Sequence, residues 1–164
     1  MEAAERLYLD AVSLIDSFED KTVFDLYCGT GTITQFMAGK AKKAVGVEIV
    51  EEAVRTASDA AKINGLDNCE FISGDVGEVL SALETLPDVI VVDPPRAGIM
   101  PKALAKILSY GVENIVYISC NPKTLASNLR AAALAGYEPA RIRAYDNFSF
   151  TRHIECAALL VKKG

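Results

Sequence analysis

The chain has 164 residues, a net charge of -5 and a pI near 4.9, with 51% hydrophobic and 24% charged residues. This is enough for one domain, residues 1–164, with a substantial core. The acidic balance argues against this chain alone gripping a phosphate backbone, because that grip comes from Lys and Arg; a local basic patch or a separate domain would have to supply it.

Leu7, Ala11, Leu14 and Phe18 recur at helical spacing and predict an amphipathic helix at the start. A strand is expected over 22–26. The Gly-rich turn Cys28-Gly29-Thr30-Gly31-Thr32 follows, then a helix to about residue 38. A strand over 44–47 leads to a helix over 51–64, closed by Gly65 as a C-terminal cap. Next come a strand over 70–73, a helix over 76–83 and an all-apolar strand over 89–92 that ends at Asp93-Pro94-Pro95. A helix over 102–110 precedes the Val- and Ile-rich run 112–118, which ends at Ser119-Cys120-Asn121-Pro122. Pro122 suits the first turn of a helix over 122–135. Strands over 141–145 and 154–161 complete the chain.

Strand–helix alternation implies an α/β fold with a mostly parallel sheet covered on both faces. The last connection, 146–153, is too short for a right-handed crossover and long enough for a hairpin, so the final pair is expected to be antiparallel. The apolar runs 89–92 and 156–161 are too short to span a bilayer, and the N-terminus Met1-Glu2-Ala3-Ala4-Glu5 lacks the basic and apolar regions of a secretory signal. The four cysteines, Cys28, Cys69, Cys120 and Cys156, form no Cys-x-x-Cys pair. No metal site and no membrane partner are therefore expected, and free thiols point to a reducing cytoplasm.

In open parallel sheets ligands bind beyond the carboxyl ends of the strands, and the marked residues collect there. Gly29 and Gly31 let backbone approach a ligand closely, or make a plain tight turn; Thr34 stands where a dinucleotide fingerprint has its third Gly. Glu48 lies at about the separation from that turn at which a carboxylate takes ribose hydroxyls, or it caps the next helix. Asp75 either accepts from an adenine amine or caps the helix at Val76. Asp93, on a loop stiffened by two prolines and followed by Arg96, is held toward the ligand edge.

Cys120 is either a buried structural thiol or a nucleophile at a strand-to-helix junction, where helix N–H groups favour a thiolate. If the last strand is antiparallel, Glu155 joins the same edge; otherwise it is an exposed strand end. His153 is the single histidine and reads as a polar loop residue. Phe148 and Phe150 serve either base stacking or closure of the hairpin over the core.

Taken together, Asp25-Leu26-Tyr27-Cys28-Gly29-Thr30-Gly31-Thr32, Val47-Glu48, Asp93-Pro94-Pro95-Arg96, Ser119-Cys120-Asn121-Pro122 and His153-Ile154-Glu155 resemble the S-adenosylmethionine-dependent RNA uracil-5-methyltransferases. The resemblance covers nearly the whole chain and implies a Rossmann-like class I methyltransferase fold. It implies Cys120 as nucleophile and Glu155 as base. Tyr27, Thr32, Glu48 and Asp93 would contact cofactor or substrate, beside Gly29, Gly31 and Asp75 from the residue reading. The implied cofactor is S-adenosylmethionine, and the implied partner is RNA, ribosomal ahead of transfer RNA. The family's N-terminal RNA-binding barrel and Gln-containing cofactor segment are not in this sequence, so an isolated catalytic domain is expected. The hairpin carries Asn147-Phe148-Ser149-Phe150 where the family commonly has Met-Phe-Pro. Other readings of the same residues are a methyltransferase acting on an exocyclic amine, with Cys120 incidental, and a nicotinamide-binding oxidoreductase or binding module.

Overall fold

The computed structural model describes residues 3–146 and 154–164. His153, Phe148, Phe150 and the hairpin tip lie outside the described residues.

Seven strands form one sheet: β1 (Thr22–Leu26), β2 (Lys43–Glu48), β3 (Cys69–Ser73), β4 (Val89–Val92), β5 (Asn114–Ser119), β6 (Tyr137–Tyr145) and β7 (Glu155–Lys162). The helices are α1 (Ala3–Val12), α2 (Thr32–Ala38), α3 (Glu51–Ile63), α4 (Val76–Ala82), α5 (Pro101–Ser109) and α6 (Pro122–Leu134). The strand order is β3-β2-β1-β4-β5-β7-β6. β1 to β5 pair in parallel; β7 runs antiparallel to β5, and β6 antiparallel to β7. The order reverses between β1 and β4, which opens a crevice at their carboxyl ends.

Two expectations change. The helical stripe reaching Phe18 belongs to a helix that ends at Val12; Leu14 and Phe18 are buried from the following turns instead. β6 begins at Tyr137 rather than at residue 141, with a register shift between Pro139 and Arg141. β6 is the sheet's outer strand, where Pro can be tolerated at an irregularity because the missing N–H faces no neighbour.

Side-chain alternation splits the core into two layers. Phe24, Leu26, Ile90, Val92 and Tyr117 face α4, α5 and α6. Val23, Val89, Val91, Val116, Ile118 and Ala157 face α1 and α2. Asp25 shares the parity of Val23, and Glu155 that of Ala157; Asp93 continues the parity of Val91. These three carboxyl groups therefore belong to the layer that α1 covers.

Candidate active site

The turn after β1 is locked from both sides. Tyr27 adopts a left-handed conformation (φ 67°), which costs a residue with a Cβ roughly 1–2 kcal/mol. It is held there because the N–H groups of Tyr27 and Cys28 both donate to the Val47 carbonyl, at 2.9 and 3.0 Å. Glu48 closes the other side: its Oε2 accepts from the Gly29 N–H at 3.0 Å and its Oε1 from the Val50 N–H at 3.0 Å. One carboxylate thus ties the Gly-rich turn to the start of α3.

The two glycines of the turn do different work. At Gly29 (φ 52°) an added Cβ would meet nothing within 4 Å, so the space beside it is open. At Gly31 (φ 79°) a Cβ would lie 2.7 Å from the Phe71 ring and 2.8 Å from the Ala57 Cβ. Gly31 is thus required by the packing of α2 against β3 and α3, and only Gly29 leaves room for a ligand.

Beneath the turn, Asp25 is fully buried, and its Oδ2 accepts from the Thr34 hydroxyl at 2.5 Å. Its Oδ1 is buried with no hydrogen-bond partner among the described residues. Burial pushes the Asp25 carboxyl up to about 7, helped by the nearby charges of Asp93 and Glu48. Thr34 therefore stands in the fingerprint's third position as the donor to Asp25. A charged residue inside the apolar strand Thr22–Leu26 was the sequence signal for this buried acid.

Asp93 follows β4, and its N–H donates to the Leu26 carbonyl at 3.2 Å, which fixes the loop to the end of β1. Burial raises its carboxyl to about 6, with the Glu155 charge adding and the Tyr8 hydroxyl opposing. Tyr8, on α1, was not legible from the sequence because it stands beside the apolar stripe of Leu7 and Ala11. Tyr8, Asp93 and the Tyr27–Thr32 turn enclose a cavity of about 200 Å³. Larger hollows, of about 620 Å³ beside α1 and α2 and about 560 Å³ between α5 and α6, are lined by none of the residues of the Tyr27–Thr32 turn.

The loop after Asp93 is stapled to α6. Asn121 caps α6 by accepting from the Lys123 N–H at 3.1 Å, and its Nδ2 donates to the Arg96 carbonyl at 3.0 Å. Asn128 accepts from the Ile99 N–H at 2.9 Å and from the Tyr117 hydroxyl at 2.7 Å, and donates to the Ile99 carbonyl at 3.1 Å. Cys120 sits between Ser119 and Asn121, and the Asn121 N–H donates to the Ser119 Oγ at 3.1 Å. The Cys120 side chain is partly exposed at the edge, whereas Cys28 is buried, and burial pushes the Cys28 thiol far up.

Cys120 and Glu155 meet through sheet register. Ser119 pairs with Cys156 across the antiparallel β5–β7 ladder, so the residues just beyond that pair, Cys120 and Glu155, lie at the same end. Tyr145 of β6 pairs with Glu155 from the other side. Asp75, by contrast, is engaged as the α4 cap: its Oδ1 accepts from Gly77 and Glu78 N–H at 2.9 and 3.2 Å. This is the capping role read for it from the sequence. Thr32 is the exposed first residue of α2, on the rim of the cavity. Among the described residues no group of three or more His, Cys, Asp or Glu is placed to hold a metal, and no helix is long and apolar enough to cross a membrane.

Comparison with known proteins agrees with this geometry. The model of the tRNA (uracil-5-)-methyltransferase family matches residues 4–163. The chain belongs to this family. An uncharacterized RNA methyltransferase of Clostridium tetani is 46% identical over 162 residues, 99% of this chain and 36% of that protein. One of Caldanaerobacter subterraneus is 46% identical over 159 residues, covering 97% and 35%. The crystal structure of Pyrococcus abyssi tRNA (uracil-54, C5)-methyltransferase in complex with S-adenosyl-L-homocysteine superposes with a TM-score of 0.81 at 31% identity, over 95% of this chain and 37% of that one. The chain thus spans about a third of the length of the relatives it matches. The fold is the Rossmann-like class I methyltransferase fold, with its antiparallel C-terminal strands.

Proposed function

We propose that this chain carries the catalytic part of an RNA methyltransferase that moves a methyl group from S-adenosylmethionine to C5 of a uridine. The observation that carries this reading is the β5–β7 register, which sets Cys120 and Glu155 at the edge that also holds the Glu48-bound turn.

The residues at the turn fit the cofactor. Open space at Gly29 admits a ligand, and the Glu48 carboxylate lies beside it to accept ribose hydroxyls. The Asp93 carboxyl in the cavity wall suits a cationic ligand. When bound, S-adenosylmethionine supplies the methyl group on a sulfonium centre.

Uracil C5 is a poor nucleophile until C6 is saturated. The Cys120 thiolate adds to C6, and the electron pair of the C5–C6 double bond passes toward C5 and O4. C5 would then bond to the methyl carbon as its bond to the sulfonium sulfur breaks, with S-adenosylhomocysteine as the leaving group. Glu155 takes the C5 proton, the double bond re-forms, and the Cys120 thiolate leaves. The target base must leave its stack to reach this edge.

In full-length protein, RNA carrying 5-fluorouracil should form a covalent complex, because fluorine cannot depart as the proton does. Cys120→Ala should abolish it. On ordinary RNA, Glu155→Gln should accumulate the methylated adduct. Full methylation by Cys120→Ala would instead favour a methyltransferase acting on an exocyclic amine. Mass spectrometry of the RNA product would then assign the target to ribosomal or transfer RNA.

A further inference from the structure

Glu155 stands where the sheet narrows. The ladder between β5 and β7 stops at Ser119 and Cys156, one residue short of it, whereas the ladder between β6 and β7 runs on to pair Tyr145 with Glu155. The backbone that carries Glu155 is therefore placed from the β6 side. β6 is the outer strand of the sheet, and outer strands open more readily than central ones. Its end is clasped from α1. The Asp10 carboxylate accepts from the Tyr145 hydroxyl at 2.5 Å and from the Arg143 guanidinium at 2.5 Å, and the Asp10 carbonyl accepts from the same guanidinium nitrogen at 3.5 Å. Arg143 and Tyr145 stand two residues apart on one face of β6, so both reach the same helix. Burial and the Asp10 bond push the Tyr145 phenol up to about 12, so it keeps its proton and remains a donor through the neutral range. Directly paired residues hold their Cβ atoms roughly 5 Å apart on one face of the sheet, so the clasped Tyr145 side chain borders that of Glu155.

We infer that Tyr145 is a positioning residue for the base: the Asp10–Tyr145 clasp between α1 and β6 fixes Glu155 against the C5 proton of the substrate uracil. This rests on the reading of Cys120 as nucleophile and Glu155 as base. When Glu155 takes the C5 proton, the C5–H electron pair re-forms the C5–C6 double bond, the C6–S bond breaks and the Cys120 thiolate leaves. Addition and methyl transfer come before this step and do not use Glu155. Cys120 follows β5, which is paired with β4 and β7 and not with β6. Loosening the clasp therefore slows proton removal and spares the two earlier stages.

The stages can be read separately in full-length protein under single-turnover conditions. The probes are transfer and ribosomal RNA transcripts carrying tritium at uridine C5, and S-adenosylmethionine carrying radiocarbon in its methyl group. Radiocarbon on RNA follows methyl transfer, and tritium in water follows loss of the C5 proton. Tyr145→Phe keeps the ring and loses the hydroxyl. It should transfer methyl within about twofold of wild type, release tritium about tenfold more slowly, and accumulate a protein–RNA adduct that carries the methyl group. Asp10→Ala should do the same, and adding Tyr145→Phe to it should slow release no further, because one clasp is broken either way. Asp10→Asn, which keeps an acceptor for the hydroxyl, should retain most of the rate. Unchanged tritium release in Tyr145→Phe overturns the inference. So does equal slowing of both stages, the mark of a purely structural support of the hairpin, and so does additive slowing in the double variant. If wild type transfers methyl but releases no tritium, C5 is not the target; the reading of Glu155 as base fails, and the role given to Tyr145 falls with it.

Discussion

On the β1–β2 side of the carboxyl edge, the site is held by short-range bonds: two N–H groups on the Val47 carbonyl, Glu48 on the Gly29 N–H, and Thr34 on Asp25. On the β5–β7 side, Cys120 and Glu155 come together only because the chain turns back and β7 inserts between β5 and β6. The first half is encoded within one strand–turn–helix unit and its neighbour. The second depends on a long-range antiparallel pairing, secured from α1 by Asp10, whose carboxylate accepts from Arg143 at 2.5 Å and from the Tyr145 hydroxyl at 2.5 Å. Tyr145 is the cross-strand neighbour of Glu155, and Tyr8 of α1 lines the cavity with Asp93. Helix α1 thus touches both halves.

The comparison is broken hardest at Gly31. Gly31→Ala places a Cβ 2.7 Å from Phe71 in a backbone conformation that side chains avoid. It should cost about 2–4 kcal/mol and abolish S-adenosylhomocysteine binding, measured by denaturant titration and calorimetry. Unchanged stability would mean that the β1 turn is looser than the close packing of Phe71 implies.

Asp25 gives the next largest effect, and its sign is fixed by linkage. Its folded value of about 7 lies above the unfolded value of 3.8, so from about pH 4 to 7 the folded state holds the extra proton. The stability of the free chain should therefore fall as pH rises through that window, by an amount on the order of a few kcal/mol. Asp25→Asn should flatten most of this slope, leaving the smaller contribution of Asp93. Denaturant midpoints between pH 4 and 8 would show it, and equal slopes in both proteins would sink the account.

Glu48→Ala should separate the halves. Losing a carboxylate acceptor should weaken S-adenosylhomocysteine binding about 10–100-fold. With S-adenosylmethionine at saturation, the Cys120 adduct with 5-fluorouracil RNA should still form, since Cys120 and Glu155 owe nothing to that turn. Loss of the adduct would show the two halves to be coupled. The smallest effect is expected at Asp10, which is partly exposed. Its carboxyl is held below the usual range chiefly by the Tyr145 hydrogen bond, so its contribution is present at neutral pH and lost as pH falls. Asp10→Asn should shift the melting temperature at pH 7 by only about 1–3 °C and speed amide exchange in β6. A larger loss would make α1 a main support of the hairpin.

Much of the edge was legible without coordinates. Thr22–Leu26 and Val89–Val92 are short β-rich runs that end at polar residues, so the sites of Glu48, Asp93 and Cys120 at strand ends followed from alternation alone. The identity of Gly31 was visible, but its reason was not, because the clash is with Phe71 on another strand. Asp75 shows the reverse: the sequence left its role open between ligand and cap, and local geometry engages it as a cap.

By itself the sequence determined the strand–helix alternation, the parallel run of β1 to β5 and the turn chemistry, since these rest on periodicity and on residues close together in the chain. Tertiary structure alone decided which side chains meet across elements: Tyr8 beside Asp93 in one cavity, Asn128 on the loop before α5, and Asp10 on the hairpin. Those contacts join residues far apart in sequence through burial and hydrogen bonding. No local pattern records them, because the partners become neighbours only when the two faces of the sheet are covered.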